Sequence, residues 1–350
     1  MTDIVFAGGG TGGHLMPALA MIERLPAGVR PHLISCGRPI EQTIMAVHSR
    51  SRDTTYHVLP HDAGRAGESR FERFGNLRAA ERAAARLLRS IRPGAVVGVG
   101  GYASIPTVRA AAQLHIPITL LEQNAVPGRA TELLAPLARQ VLTSLPLTRP
   151  LPRSRCVGNP TRAAFARVSR TDTRTLLVLG GSQGADTLNR MLPPQLASLD
   201  LTGWTIRHQC GPGHQPATEV AYAAAGLASE VCEQIVDMPA ALATAGVVIA
   251  RSGATTLAEA AIVGCPLTLV PHPRSIHDHQ RRNAEVAARF GAAVVDETNW
   301  SGIGHAIAPL LTDRRLRRWR SEQIKRMARP AAAADCVAAV LASLTRRRVA

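Results

Sequence analysis

Five glycines in six positions, Gly8-Gly9-Gly10-Thr11-Gly12-Gly13, run into His14. A backbone this free of side chains can turn its N–H groups toward a ligand. Where such a loop opens a helix, amides and helix N-terminus together stabilise a phosphate. A bare strand–helix turn, the competing reading, needs fewer glycines. His14 falls in the first turn of the expected helix, where the positive end of the dipole favours a neutral imidazole, a competent general base. The spacing Gly8-x-Gly10-x-x-Gly13 satisfies a dinucleotide fingerprint. No acidic residue closes the strand at 31–35, where a ribose would be held, so NAD binding is disfavoured.

The same plan recurs. Gly98-Val99-Gly100-Gly101-Tyr102-Ala103-Ser104-Ile105-Pro106 follows an apolar run and precedes a helical one, and Leu121-Glu122-Gln123-Asn124 brings a carboxylate and two amides to the end of the next run. Helix capping and turn chemistry explain that trio equally well when it is taken alone. Further along, Leu179-Gly180-Gly181-Ser182-Gln183-Gly184-Ala185 adds a hydroxyl within reach of a phosphate. Arg251-Ser252-Gly253-Ala254-Thr255-Thr256-Leu257-Ala258-Glu259 then combines hydroxyls and helix-start amides suited to phosphate with a carboxylate, Glu259, able to accept ribose hydroxyls or simply to face solvent. No D-x-D carboxylate pair is present, so leaving-group charge falls to amides, hydroxyls and arginine rather than to a divalent metal. His277-Asp278-His279-Gln280 reads as a helix cap or polar sugar contacts rather than a metal site.

The elements that must hold these loops follow from periodicity. Apolar runs at residues 4–7, 32–35, 55–59, 95–99, 118–121 and 140–143 alternate with amphipathic stretches, and a second series follows at 175–179, 205–208, 231–234, 247–250, 267–270 and 292–295. That alternation predicts an α/β chain of two Rossmann-like parallel-sheet domains. A proline- and arginine-rich stretch, 145–155, reads as the linker, which puts the boundary near Asn159: an N-terminal domain over 1–158, a C-terminal domain over 159–330, and a helix with a basic tail over 331–350.

Composition narrows the classes. The chain has 350 residues, enough for two cores, but only 3% aromatics, so Ala, Leu, Val and Ile must fill them. The formal charge of +16 is largely arginine, which suits an anionic partner, although a solvated arginine surface accounts for it equally. Nucleic acid is disfavoured, because aromatic stacking motifs and a basic recognition helix are missing. Six cysteines without C-x-x-C spacing point to a reducing compartment. No segment reaches the ~18 apolar residues of a spanning helix, so any membrane contact is peripheral. A candidate surface is Phe71, Phe74 and Leu77 at helical spacing among Arg70, Arg73, Arg78 and Arg82, which also fits a core-facing stripe.

In order along the chain, residues 8–17 (GGGTGGHLMP), 100–106 (GGYASIP), 122–124 (EQN), 158–162 (GNPTR), 180–185 (GGSQGA), 251–259 and 279–283 resemble the motifs of the MurG family. These are the UDP-N-acetylglucosamine:undecaprenyl-pyrophosphoryl-MurNAc-pentapeptide N-acetylglucosaminyltransferases of peptidoglycan synthesis. The resemblance covers roughly residues 3–300. It implies a GT-B fold whose domains face a cleft, a C-terminal helix crossing back to the first domain, and inverting transfer of GlcNAc from UDP-GlcNAc to the C4 hydroxyl of lipid I without metal or cofactor. By the same resemblance His14 is the base. Thr11, Gly12, Gly13 and Asn124 meet the sugar of UDP-GlcNAc or the acceptor, and Arg162 and Ser182 meet the diphosphate. Ile235 holds uracil through its backbone, Ala254, Thr255, Thr256, Leu257, Ala258 and Glu259 the phosphates and ribose, and Gln280 the GlcNAc hydroxyls. The acceptor side takes Gly10, Gly100, Gly101, Tyr102, Ser104 and Glu122. Peripheral attachment to the cytoplasmic side of the inner membrane is also implied, with anionic lipids and cell-wall synthesis and division proteins as partners. Over residues 37–70 the family pattern is kept only at Gly37 and Glu41, and 62–69 is unlike it. Thr255 stands where many relatives carry an aliphatic residue, and His279 where some carry glutamine.

Overall fold

The computed structural model describes residues 2–48, 53–59 and 70–345. They form two compact units, one of Met1–Arg162 with Ala331–Ala350, the other of Ala163–Pro330. The split lies a few residues beyond the expected boundary at Asn159. Ser144 Oγ donates to Asn159 Oδ1 at 3.0 Å, which ties that segment to the first sheet.

Within the described residues the first unit holds a parallel sheet ordered β3-β2-β1-β4-β5-β6-β7. Its strands are β1 (Thr2–Ala7), β2 (Val29–Ser35), β3 (Thr55–Val58), β4 (Ala95–Gly98), β5 (Ile118–Glu122), β6 (Gln140–Thr143) and β7 (Ser154–Cys156). Strand β7 overlaps the end of the stretch read from sequence as a linker. It is a short edge strand of polar, partly exposed residues paired with β6, so it carries no hydrophobic run to betray it. Alternation sorts the core: Ile4 and Phe6 of β1 belong to one hydrophobic cluster and Val5 and Ala7 to another, and all four are fully buried, as a parallel sheet covered on both faces requires. The helix Ala332–Thr345 brings Cys336, Val337 and Val340 into the cluster with Leu15 and Met21, and Gln140 Nε2 donates to Ala339 O at 2.9 Å. The C-terminal helix therefore belongs to the first unit.

The second unit repeats the plan in the order β10-β9-β8-β11-β12-β13. Its strands are β8 (Thr175–Leu179), β9 (Thr205–Gln209), β10 (Ser229–Cys232), β11 (Val247–Ala250), β12 (Leu267–Leu269) and β13 (Ala293–Val294). Strand β10 begins two residues before the expected run at 231–234. Leu177 and Leu179 face one cluster, and Leu176 and Val178 the other.

Both sheets reverse strand order between their two central strands, β1/β4 and β8/β11. Ligands of open α/β sheets bind at the carboxyl ends of the strands on either side of such a switch point. Every glycine-rich loop named above leaves a sheet at that edge.

Candidate active site

In the first unit Ala7 pairs with Gly98, so the loops after β1 and β4 emerge side by side. The helix Gly12–Ile22 follows the first loop, with Thr11 as its extended N-cap, and puts His14 in its first turn. The His14 Nδ1 lies 3.2 Å from Thr11 Oγ1. The ring lies against the second loop: a Cβ added to Gly100 would sit 2.8 Å from His14 Cδ2, and one added to Gly101 would sit 2.7 Å from Gly9 O. Both glycines also hold positive φ, +95° and +74°. Only glycine permits this approach of loop to ring.

Buried side chains fix the loops from below. Gln123 donates from Nε2 to Val99 O at 2.8 Å, joining the end of β5 to the second loop. Glu122 is buried, and its carboxylate accepts the Asn124 and Gly128 amides, both at 3.0 Å. Glu41, fully buried, accepts the Gly10 amide at 2.5 Å, the Arg38 amide at 2.8 Å and the Ser35 hydroxyl at 2.8 Å.

These contacts redirect some expectations. Glu122, expected to contact the acceptor, uses its carboxylate to build its own loop. Ser104, expected on the same side, is buried and donates to Gly101 O at 2.7 Å, because it closes the turn that starts the helix Ser104–Gln113. Gly10, Thr11, Gly12, Gly13, Gly100, Gly101 and Asn124 do gather with His14 at the carboxyl edge, and Tyr102, half exposed, stands on the second loop. Arg162, expected at the donor diphosphate, is the last residue of the first unit before the split.

In the second unit Leu179 pairs with Ala250, so the loops 180–185 and 251–253 also leave neighbouring strands. Gly184 packs its backbone against Cys210 and Gly211 with no room for a side chain, which presses the loop after β8 onto the loop after β9. Gln209 fastens the group, donating to Gly181 O at 3.2 Å and accepting the Ile235 amide at 3.1 Å. The Ile235 N–H is thus engaged by the Gln209 carboxamide. Ser182 lies exposed on its loop.

The helix Ala254–Val263 has Gly253 as N-cap, a residue with no side chain to cap the first turn. Leu257 departs from the expected role: its side chain is fully buried in the core and its amide donates to Gly253 O at 3.0 Å. Thr255, Thr256, Ala258 and Glu259 are partly exposed, and Ala254 is buried. Gln280, in the helix His279–Ala288, accepts the His272 amide on Oε1 at 2.9 Å, and its own carbonyl accepts the Ser252 hydroxyl at 2.7 Å. Arg251 stands behind this loop in a buried pair with Glu297 at 2.9 Å. Burial pushes the Glu297 carboxyl up, but hydrogen bonds from Arg251 and Thr187 outweigh it and hold the group below its ordinary range. His277 and Asp278 both adopt left-handed backbone at the start of the next helix, a strained arrangement of the kind that collects at functional sites. Among the described residues no three His, Cys, Asp or Glu side chains converge as a metal-ligand set.

Sequence reasoning passed over Glu41 and Gln209 as site residues. Glu41 had a signal: Pro39 opens the helix Pro39–His48, and an acid in that first turn reaching back to the Arg38 amide is half of a capping box. Gln209, a polar residue ending an apolar strand, had only its position.

The helix Arg70–Ile91 carries the basic stripe. Leu77 packs on the core, whereas Phe74 is 59% exposed under the Arg78 guanidinium, 5.1 Å from the ring centre. The stripe therefore divides between core and solvent. The side chains of Arg70, Phe71 and Arg73, the loop 62–69 and the tail Arg346-Arg347-Arg348 lie outside the described residues. Among the described residues no helix is long and apolar enough to cross a membrane.

Comparison with known proteins follows the same division. Residues 4–143 match the glycosyltransferase family 28 N-terminal domain, and residues 175–333 match the family 28 C-terminal domain. A protein of Pseudomonas paraeruginosa, UDP-N-acetylglucosamine--N-acetylmuramyl-(pentapeptide) pyrophosphoryl-undecaprenol N-acetylglucosamine transferase, is 36% identical over 353 aligned positions, covering 97% of this chain and 98% of its own. The crystal structure of Acinetobacter baumannii MurG superposes with a TM-score of 0.76 at 28% identity, covering 97% of this chain and 99% of the other. A UDP-GlcNAc 2-epimerase from Neisseria meningitidis bound to UDP-GlcNAc, at 11% identity and a TM-score of 0.67 over 97% of this chain and all of the other, shares the fold alone.

Proposed function

The chain belongs to the MurG family of N-acetylglucosamine transferases, and from that premise we propose that it moves GlcNAc from UDP-GlcNAc to the MurNAc C4 hydroxyl of lipid I, forming lipid II with inversion at the sugar. The observation that carries this reading is the seat of His14, in the first helical turn, its Nδ1 on Thr11 Oγ1 and its ring across Gly100 and Gly101. For Nε2 to take the hydroxyl proton, Nδ1 must hold its own proton and donate it to Thr11 Oγ1, an arrangement that fixes the tautomer and steadies the imidazolium that forms. Inversion needs one base and no covalent intermediate, so one such group suffices.

The first unit, on this reading, supplies the acceptor side through Gly10, Gly100, Gly101 and Tyr102, while Thr11, Gly12, Gly13 and Asn124 meet the sugar of UDP-GlcNAc or the acceptor. The second takes the nucleotide. Ser182 and the helix-start amides of Ala254, Thr255 and Thr256 stabilise the charge developing on departing UDP, Glu259 accepts ribose hydroxyls, and Gln280 faces the sugar. Arg162 is retained as a diphosphate contact. Phe74 and Arg78, with Arg82 on the same exposed surface, supply peripheral contact with anionic inner-membrane lipid. Cell-wall synthesis and division proteins are the partners expected there. The deciding experiment is transfer of radiolabelled GlcNAc from UDP-GlcNAc to a lipid I analogue and to a diacylglycerol acceptor, each with and without EDTA. Labelled lipid II in both conditions is expected. No transfer to lipid I would defeat the reading, and loss in EDTA would defeat its metal-free form.

A further inference from the structure

The first turn of the helix Pro39–His48, which follows β2, places one carboxylate under three parts of the chain. Glu41 is fully buried, and its donors come from the first glycine loop (Gly10), the end of β2 (Ser35) and the turn before its own helix (Arg38). Since Ser35 gives its proton to Glu41, the hydroxyl of Tyr56 on β3 donates to Ser35 Oγ, which also accepts the Gly37 amide at 3.3 Å. Burial and the charge of Glu41 both push the Tyr56 phenol above its ordinary range, against the opposing bond to Ser35. Any side chain at Gly9 would run into the Glu41 carboxyl, so the loop lies directly on it. A carboxylate this deep persists only when donors surround it.

We infer that Glu41 is a positioning residue for the transfer: by holding the Gly10 amide it sets the turn from which Thr11 and His14 project. The inference rests on the reading of His14 as the base. Three consecutive glycines lead into that turn, the residues with the most backbone freedom to lose. Thr11 makes no side-chain cap bond of its own, so the helix entry depends on what holds Gly10. Glu41 also fills, with an internal anion, an amide of the kind that in other glycine loops faces a phosphate. That leaves this loop shaped for a hydroxyl and its base rather than for a nucleotide diphosphate at Gly10.

The test uses the full chain with Glu41→Gln and Glu41→Ala. A carboxamide of the same shape has one acceptor and one donor end, and Gly10 and Arg38 approach opposite oxygens, so Gln must set its NH2 against one of those amides. Expected results are a kcat for GlcNAc transfer lowered roughly ten- to a hundredfold in both variants, unchanged UDP affinity, and amide hydrogen exchange over residues 8–14 accelerated about tenfold. Formate is expected to restore part of the kcat of Glu41→Ala, by filling the vacated place, and to leave the wild type unaffected. Wild-type kcat in Glu41→Gln overturns the inference. So does a slowed variant whose 8–14 exchange is unchanged. If Glu41→Ala fails to fold, Glu41→Gln decides by kcat and exchange. If the wild-type protein itself transfers no GlcNAc, the functional reading fails, while the exchange arm still decides whether Glu41 holds the loop.

Discussion

The two units carry glycine loops at equivalent places on equivalent sheets, and they differ in what holds those loops. In the first, a carboxylate holds the opening glycine loop, Glu41 on the Gly10 amide, and another, Glu122, holds the Asn124 and Gly128 amides beside it, while Gln123 ties the second glycine loop through Val99 O. In the second, the loops after β8 and β10 are joined by a neutral carboxamide, Gln209, and the helix after β11 starts at a glycine with no capping side chain. A buried carboxylate next to loop amides repels a phosphate that would use them. A neutral amide and a helix start at glycine do not. On the proposed function, the same strand–glycine–helix plan serves a hydroxyl and its base in one unit and a nucleotide diphosphate in the other. The side chains beneath the loops, rather than the glycines, tell the two apart.

The largest expected break in this division is His14→Ala, which should lower turnover by on the order of a hundredfold or more while calorimetric UDP affinity stays put. Wild-type turnover in that variant would move the base elsewhere. Next in size is an effect of acid on the second unit. Burial pushes the His208 imidazole down to about 3 from an ordinary 6.5, so the unfolded chain binds a proton that the folded chain refuses. Stability from this group is complete above pH 6.5 and is lost as pH falls toward 3, by up to about 1.4 kcal/mol per pH unit. Thermal midpoints of wild type and His208→Asn between pH 7 and 5 should converge on acidification; parallel curves would contradict it.

Gln209→Glu sharpens the comparison most directly, because it gives the second unit the kind of loop tie found in the first. UDP dissociation should rise about tenfold by charge repulsion, with Ile235 still accepted by the new carboxylate, and unchanged affinity would show that the tie's charge is irrelevant. The smallest effect concerns Phe74, which belongs to neither set of loops. Phe74→Glu should weaken binding to anionic vesicles roughly three- to fivefold, and unaltered binding would remove this surface from the membrane contact.

What the amino-acid sequence determined alone was the periodicity and the turn chemistry. Alternating apolar runs fixed two parallel sheets, because a strand buried on both faces has few other ways to be written, and glycine clusters after those runs marked the carboxyl edges where His14, Thr11, Ser182 and Ala254 stand. Strand β7 escaped for the same reason in reverse, since its Ser154-Arg155-Cys156 has no buried face to show. Tertiary structure alone decided which groups face a ligand and which are consumed internally. Ser104, Glu122, Leu257 and the Ile235 amide looked available in one dimension, and each was taken by a neighbour. Glu41, 31 positions from the Gly10 amide it holds, became the support of His14's loop. Those outcomes depend on hydrogen bonds among segments distant in the chain, and an unpaired polar group is costly once it is buried, so the partners are chosen only when β1, β2 and β4 bring their ends together.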